Sequence, residues 1–169
     1  DKYIGSWLEE RKFDWIPIMA KTVTNIIEKG KPVLLITDGE RDWFANYVLS
    51  KVNASQISRP HLPIYDFYGM LSGNHQFHND MDIELLNDML DISFPNGYVF
   101  WYIGRSNSKK AVLPKVTNNS FLWLFDEDFQ NSFNLQSSDE TLDMKLMQLF
   151  RLFDKTIDAT LFAEIEVDK

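Results

Sequence analysis

Two kinds of hydrophobic pattern alternate along the chain. Val33-Leu34-Leu35-Ile36, Tyr98-Val99-Phe100-Trp101-Tyr102-Ile103 and Ser120-Phe121-Leu122-Trp123-Leu124-Phe125 are apolar runs without polar alternation, the pattern of strands covered on both faces. Ile64-Tyr65-Asp66-Phe67 is a shorter strand of β-branched and aromatic type, entered through Arg59-Pro60-His61-Leu62-Pro63. Between these runs the apolar spacing changes to three and four residues, which is helical. Trp15, Met19, Val23 and Ile26 mark a first helix, with Asp14 as its N-cap, Pro17 in its first turn and Gly30 as its stop. Trp43, Phe44, Tyr47, Val48 and Val52 mark a second. Ile83, Leu86, Met89 and Leu90 mark a third, capped at Asp80 or Asp82. Asp139 and Thr141 open the last and longest helix, which runs to about Ile165. Tyr3, Ile4, Trp7 and Leu8 lie among charges and predict a short helix or arm. Gly104 ends a strand, a short helix around Asn107 to Val112 is bounded by Pro114, and Gly69 to Asp80 and Asp126 to Ser138 read as loops.

Four strands alternating with helices predict a parallel sheet of order 2-1-3-4, with right-handed crossovers and helices on both faces. The fold class is therefore α/β, a three-layer Rossmann-like domain with a small sheet. At 169 residues, with no Pro/Gly/Ser-rich linker, the chain is expected to form one domain over 1–169. The apolar faces of the first and last helices are broad for so small a sheet, and predict a dimer or tetramer built through them.

Charge narrows the partners. A formal net charge of -8 disfavours direct binding to nucleic acid or an anionic membrane, both of which need clustered Lys and Arg. The absence of cysteine excludes disulfides and thiolate metal sites and suits a reducing cytoplasm. No signal peptide and no bilayer-length apolar run are evident, so a cytoplasmic, soluble protein is expected.

In open α/β sheets ligands collect at the carboxyl ends of strands, so the turn after the first strand, Thr37-Asp38-Gly39-Glu40-Arg41, is the first place to look for chemistry. A phosphate cradle needs glycines or hydroxyls and a lysine. Here a single glycine stands between two carboxylates that would repel phosphate, and Asp38 reads as a helix cap, with Thr37 and Arg41 the anion-friendly groups. His75-x-x-His78 with Asp80, Asp82 and Glu84 has zinc-ligand types but no second anchored cluster, and reads as a solvated loop without metal. His61 reads as a strand-entry residue, and no G-x-S-x-G elbow accompanies the Ser, His and Asp residues. No cofactor is implied. On the last helix, Leu142, Leu146, Leu149, Phe153 and Ile157 form the core stripe, while Phe162, Met144, Met147 and Ile165 fall on the far side with Arg151, Asp154 and Asp158 between them. An apolar patch ringed by charge is a candidate protein contact, with a sister subunit or with another protein.

Asp42-Trp43-Phe44-x-Asn46-Tyr47-x-Leu49-Ser50, Ser120-Phe121-Leu122-Trp123-Leu124-Phe125 and Lys145-Leu146-x-Gln148-Leu149-Phe150-x-Leu152-Phe153 together resemble the HobA family, DnaA-associating initiation factors of epsilonproteobacteria. The resemblance spans nearly the whole chain from the first helix onward. It implies a fold similar to sugar isomerase (SIS) domains and to DiaA, a homotetramer, no enzymatic activity, and binding of the DnaA N-terminal domain to promote its assembly at the replication origin. The DiaA type ends its last helix on a Leu-Phe pair implicated in DnaA binding, matched here by Leu161-Phe162. The resemblance to that pair, taken with the far-side patch of the last helix, points to Leu161, Phe162, Ile165, Met147, Arg151 and Asp158 as partner-binding residues. Active SIS domains carry a Gly/Ser-rich sugar-phosphate loop where this chain has Thr37, Asp38, Glu40 and Arg41. Those four would be the ligand-binding set if the chain were instead a SIS-like sugar-phosphate binder or isomerase.

Overall fold

In the computed structural model of the protein, residues 5–54, 58–71 and 80–167 are described, the side chains of residue 80 and of 164–167 excepted. The chain runs α1 (Ser6–Glu10), α2 (Lys12–Ile27), β1 (Val33–Thr37), α3 (Asp42–Val52), β2 (Ile64–Asp66), α4 (Phe67–Met70) and α5 (Asp80–Ser93). It continues through β3 (Val99–Arg105), α6 (Val112–Val116), β4 (Phe121–Phe125), β5 (Ser132–Leu135) and α7 (Leu142–Val167). Short 3-10 turns at Gly39–Arg41 and Lys109–Ala111 lead into α3 and α6.

All five strands are parallel, in the order β2-β1-β3-β4-β5. The first four follow the order expected from the sequence; β5 is an addition, because residues 126–138 were expected to be a polar loop. Ser132-Phe133-Asn134-Leu135 alternates half-buried and buried positions, the pattern of an edge strand, and its four residues are too few to stand out among polar neighbours. Its outer edge is covered where α1 meets α2: Arg11 donates from Nη1 to the Asn134 carbonyl, and its guanidinium lies 3.9 Å from the Phe133 ring centroid.

β1 and β4 are buried at every position, as is β3 up to Gly104, which explains their unbroken apolar runs. Side chains alternate between the two faces. Val33, Leu35, Trp101, Ile103, Phe121, Trp123 and Phe125 face the layer of α2, α3 and α7, while Leu34, Ile36, Phe100, Tyr102, Leu122 and Leu124 face that of α4, α5 and α6. Trp101 and Trp123 stack edge to face at 5.2 Å, and Phe44, Phe121, Phe150 and Phe153 surround them. Burying each such side chain contributes about 1.5–3 kcal/mol.

Several boundaries differ from the sequence reading for local reasons. Asp14 is not the N-cap of α2; the helix begins at Lys12, and Asp14 sits in its first turn beside Arg11. Gly104 does not end β3 but lies inside it. Pro114 does not bound α6 but occupies its first turn, where a missing N–H costs nothing because that position has no intrahelical acceptor. Phe67 starts α4 instead of ending β2. Gly30, at φ 64°, follows α2 as expected, and Lys31 N–H returns to the Asn25 carbonyl. Among the described residues no helix is long and apolar enough to cross a membrane.

Candidate functional site

The carboxyl ends of β1 and β3 bring together Thr37, Asp38, Glu40 and Arg41 with Tyr102, Gly104 and Arg105. Asp38 is buried, but its carboxylate does not cap the turn it opens. It crosses to the neighbouring strand and accepts the Arg105 backbone N–H at 2.7 Å. That reach is possible because Gly104 has no side chain: a Cβ there would lie 2.5 Å from Asp38 Oδ2, and the residue holds φ 153°. Arg41, also buried, lies 3.9 Å from Asp38 Oδ1, donates to Glu40 at 3.0 Å and covers the Phe125 ring at 4.9 Å. Arg105 Nε stands 3.3 Å from the exposed Glu40, whose carboxyl is held below the usual range by the Arg41 hydrogen bond and then by the Arg105 charge. Thr37 donates to Asp42 in the first turn of α3. Burial pushes the Tyr102 phenol far above its ordinary value, and its hydroxyl donates to the Arg105 carbonyl at 2.8 Å.

The switch-point end of the sheet is therefore occupied by the chain's own charges, two carboxylates against two guanidinium groups. Thr37, Asp38, Glu40 and Arg41 are brought together as the sequence suggested, but Asp38, Glu40 and Arg41 pair with one another and with Arg105 of β3, and Thr37 bonds to Asp42 of α3. Gly104, Arg105 and Tyr102 escaped the sequence reading. The available signal was a glycine inside an otherwise apolar run, which marks a close approach.

The other candidate lies on α7. Leu142, Leu146, Leu149, Phe153 and Ile157 are buried, as their spacing implied, and Phe150 joins them. Phe162 is 54% exposed and Met144 is exposed as well. Leu161 and Met147 are half-buried against the core, so Met147 contributes less to an outer patch than its wheel position implied. Arg151 is on the surface. Ile165 belongs to the helix, but its side chain lies outside the described residues, as do His75 and His78 of the metal reading. Among the described residues no His, Cys, Asp and Glu cluster has metal-binding geometry. His61 is exposed just before β2.

Asp154 and Asp158, expected as charges among the far-side residues of the last helix, are both tied down. The buried Arg59 guanidinium donates to Asp154, to Asp158 at 2.7 Å and to the Val52 carbonyl at the end of α3. Burial raises the Asp154 carboxyl against the pull of Arg59. The clamp fixes α7 one turn before Phe162. Sequence reasoning missed Arg59 because its partners lie 95 and 99 residues away.

Fold and site together define an open, doubly wound parallel α/β domain that gathers two carboxylates and two guanidinium groups at its switch point and exposes the Phe162 ring in the final turns of its last helix. Residues 1–167 match the model of the family described as HobA, DNA replication regulator, and the chain belongs to that family. It is 31% identical over 165 residues to the DNA replication regulator protein HobA of Helicobacter pylori, covering 95% of this chain and 87% of that one. Two crystal structures from H. pylori superpose with a TM-score of 0.79. One is a HobA–DnaA (domain I-II) complex, at 29% identity and covering 94% of this chain and 85% of that one. The other is HobA, at 28% identity with 94% and 84% covered.

Proposed function

We propose that this protein is a non-enzymatic regulator of chromosomal replication initiation. In this reading it is a single cytoplasmic domain that binds the N-terminal domain of DnaA as a homotetramer and promotes DnaA assembly at the origin. The H. pylori relative crystallised with DnaA domains I-II supports the partner, and the DNA replication regulator family supports the process. The observation that carries the site is Phe162, an aromatic side chain left in water on the final turns of α7 while the same helix buries its opposite stripe. Leu161 supports it from the half-buried side, with Met147, Arg151 and Asp158 along the same flank of the helix, and Ile165 is part of the proposed set by its helical spacing in the sequence. Arg59 holds Asp158, so that charge orients the surface more than it contributes affinity. The pairing of Arg41 and Arg105 with the Asp38 and Glu40 carboxylates, which would repel a phosphate, supports a role without catalysis.

Surface plasmon resonance of Phe162→Ala against DnaA domains I-II tests the anchor. Loss of an interface aromatic typically costs about 2 kcal/mol, so affinity should fall by about thirtyfold. Size exclusion in parallel should show an unchanged oligomer. Wild-type affinity would remove Phe162 as the anchor, and dissociation into monomers would assign it to the subunit interface.

A further inference from the structure

Helix α5 has two apolar faces. Leu86 and Leu90 are buried against Phe67, Phe100 and Leu122, with Ile83 packed at their edge. On the other side Met81, Leu85, Met89 and Ile92 are 77%, 61%, 49% and 81% exposed. At about 100° and 1.5 Å per residue these four fall within a sector of about 80° and form a strip about 16 Å long. Carboxylates border it: Glu84, Asp88 and Asp91 on one flank and Asp82 on the other. The 14-residue helix contains neither Lys nor Arg. A continuous apolar strip left in water marks a contact surface, and its two methionines can adapt to different shapes.

Charge decides what can cover the strip. A second copy packed on the same face across a two-fold axis would set one border of carboxylates against another, with no cation on the helix to separate them. An anionic bilayer would be repelled for the same reason. A surface carrying Lys and Arg beside its apolar side chains would be attracted and would still bury the strip. We propose that α5 is a docking strip for a cationic amphipathic segment of a second protein, one that presents apolar side chains at helical spacing between rows of Lys or Arg. The strip belongs to the layer of α4, α5 and α6, across the sheet from α7, so it is a separate contact from the one at Phe162. Its apolar side chains supply the strength, and its acidic borders supply orientation and rate of encounter.

Fluorescence anisotropy with the full chain and three synthetic peptides tests this. The first peptide is an amphipathic helix with leucines on one face and lysines on its flanks. The second replaces those lysines with glutamates, and the third scrambles the first at constant composition. The lysine helix should bind, the glutamate helix should not, and the scrambled peptide should bind at least about tenfold more weakly. Leu85→Ser with Ile92→Ser should reduce binding of the lysine helix by about tenfold or more, while Phe162→Ala leaves it unchanged. Glu84→Lys with Asp88→Lys touches no buried side chain and should transfer the preference to the glutamate helix, a readout that holds even if the serine pair unfolds. Equal binding of the lysine helix and its scramble would overturn the proposal, since net charge alone would then explain capture. So would a charge-reversed protein that keeps its preference, or a serine variant whose mass in light scattering falls, which would give the strip to a second copy.

Discussion

Asp38 and Gly104 share one volume. The carboxylate reaches the Arg105 N–H through space that any larger residue at 104 would fill, and the left-handed φ at 104 penalises an L side chain independently. Gly104→Ala should therefore destabilise the fold by about 3 kcal/mol, by adding a strained backbone to a displaced buried carboxylate. Urea denaturation followed by circular dichroism checks this, and a change under about 0.5 kcal/mol would show that the crevice can relax. The sequence announced the residues on one side of this pair and not the other. Thr37, Asp38, Glu40 and Arg41 follow an apolar strand and stand out, whereas Gly104 and Arg105 acquire meaning only once β3 pairs with β1 in register, Thr37 opposite Ile103.

Helices were more legible than their ends. The core stripe of α7 follows from periodicity alone, because one face of a regular helix must meet the sheet. What holds the two ends of α7 is less visible. At the start, Asp139 accepts from Lys145 and then from Thr141, and these bonds lower its pKa from the ordinary 3.8 to about 2. A folded-state pKa below the unfolded one means stability that is present above about pH 4 and is lost as pH falls toward 2. Asp139→Asn should lower the thermal midpoint at neutral pH and flatten its decline over that acid window, as calorimetry from pH 5 to 2 would show. Toward the far end, Arg59 bridges the end of α3 to Asp154 and Asp158. Arg59→Ala leaves two carboxylates without their cation, one of them half-buried, and should cost about 3 kcal/mol. Hydrogen exchange should accelerate in α7 beyond Asp154 before it does so near Leu146. Uniform exchange along the helix would deny Arg59 that local role. β5 stayed hidden for the converse reason: a four-residue edge strand needs only two inward side chains, here Phe133 and Leu135, and two residues make no pattern.

For the whole molecule, the order of the four inner strands was legible because alternating strands and helices with right-handed crossovers leave few topologies. The expected assembly rests on a weaker signal, since an apolar residue facing a partner looks like one facing the core. On α2, Phe13 is 83% exposed and Ile16 is also in water, with Met144 exposed on α7, on the same side of the sheet. Covering these faces with sister subunits should give a tetramer, and multi-angle light scattering at micromolar concentration should return four chain masses. A monomer would leave the faces for other proteins. The indole pair at the centre of the sheet bears on every one of these measurements. Trp101 and Trp123 are 5.2 Å apart at 68° and shielded from solvent, so their excited states should couple and their emission should be blue-shifted. The molecule thus carries its own optical gauge of tertiary order. A variant that retains this near-ultraviolet signature while losing a partner has lost a surface, whereas one that loses both has lost its fold.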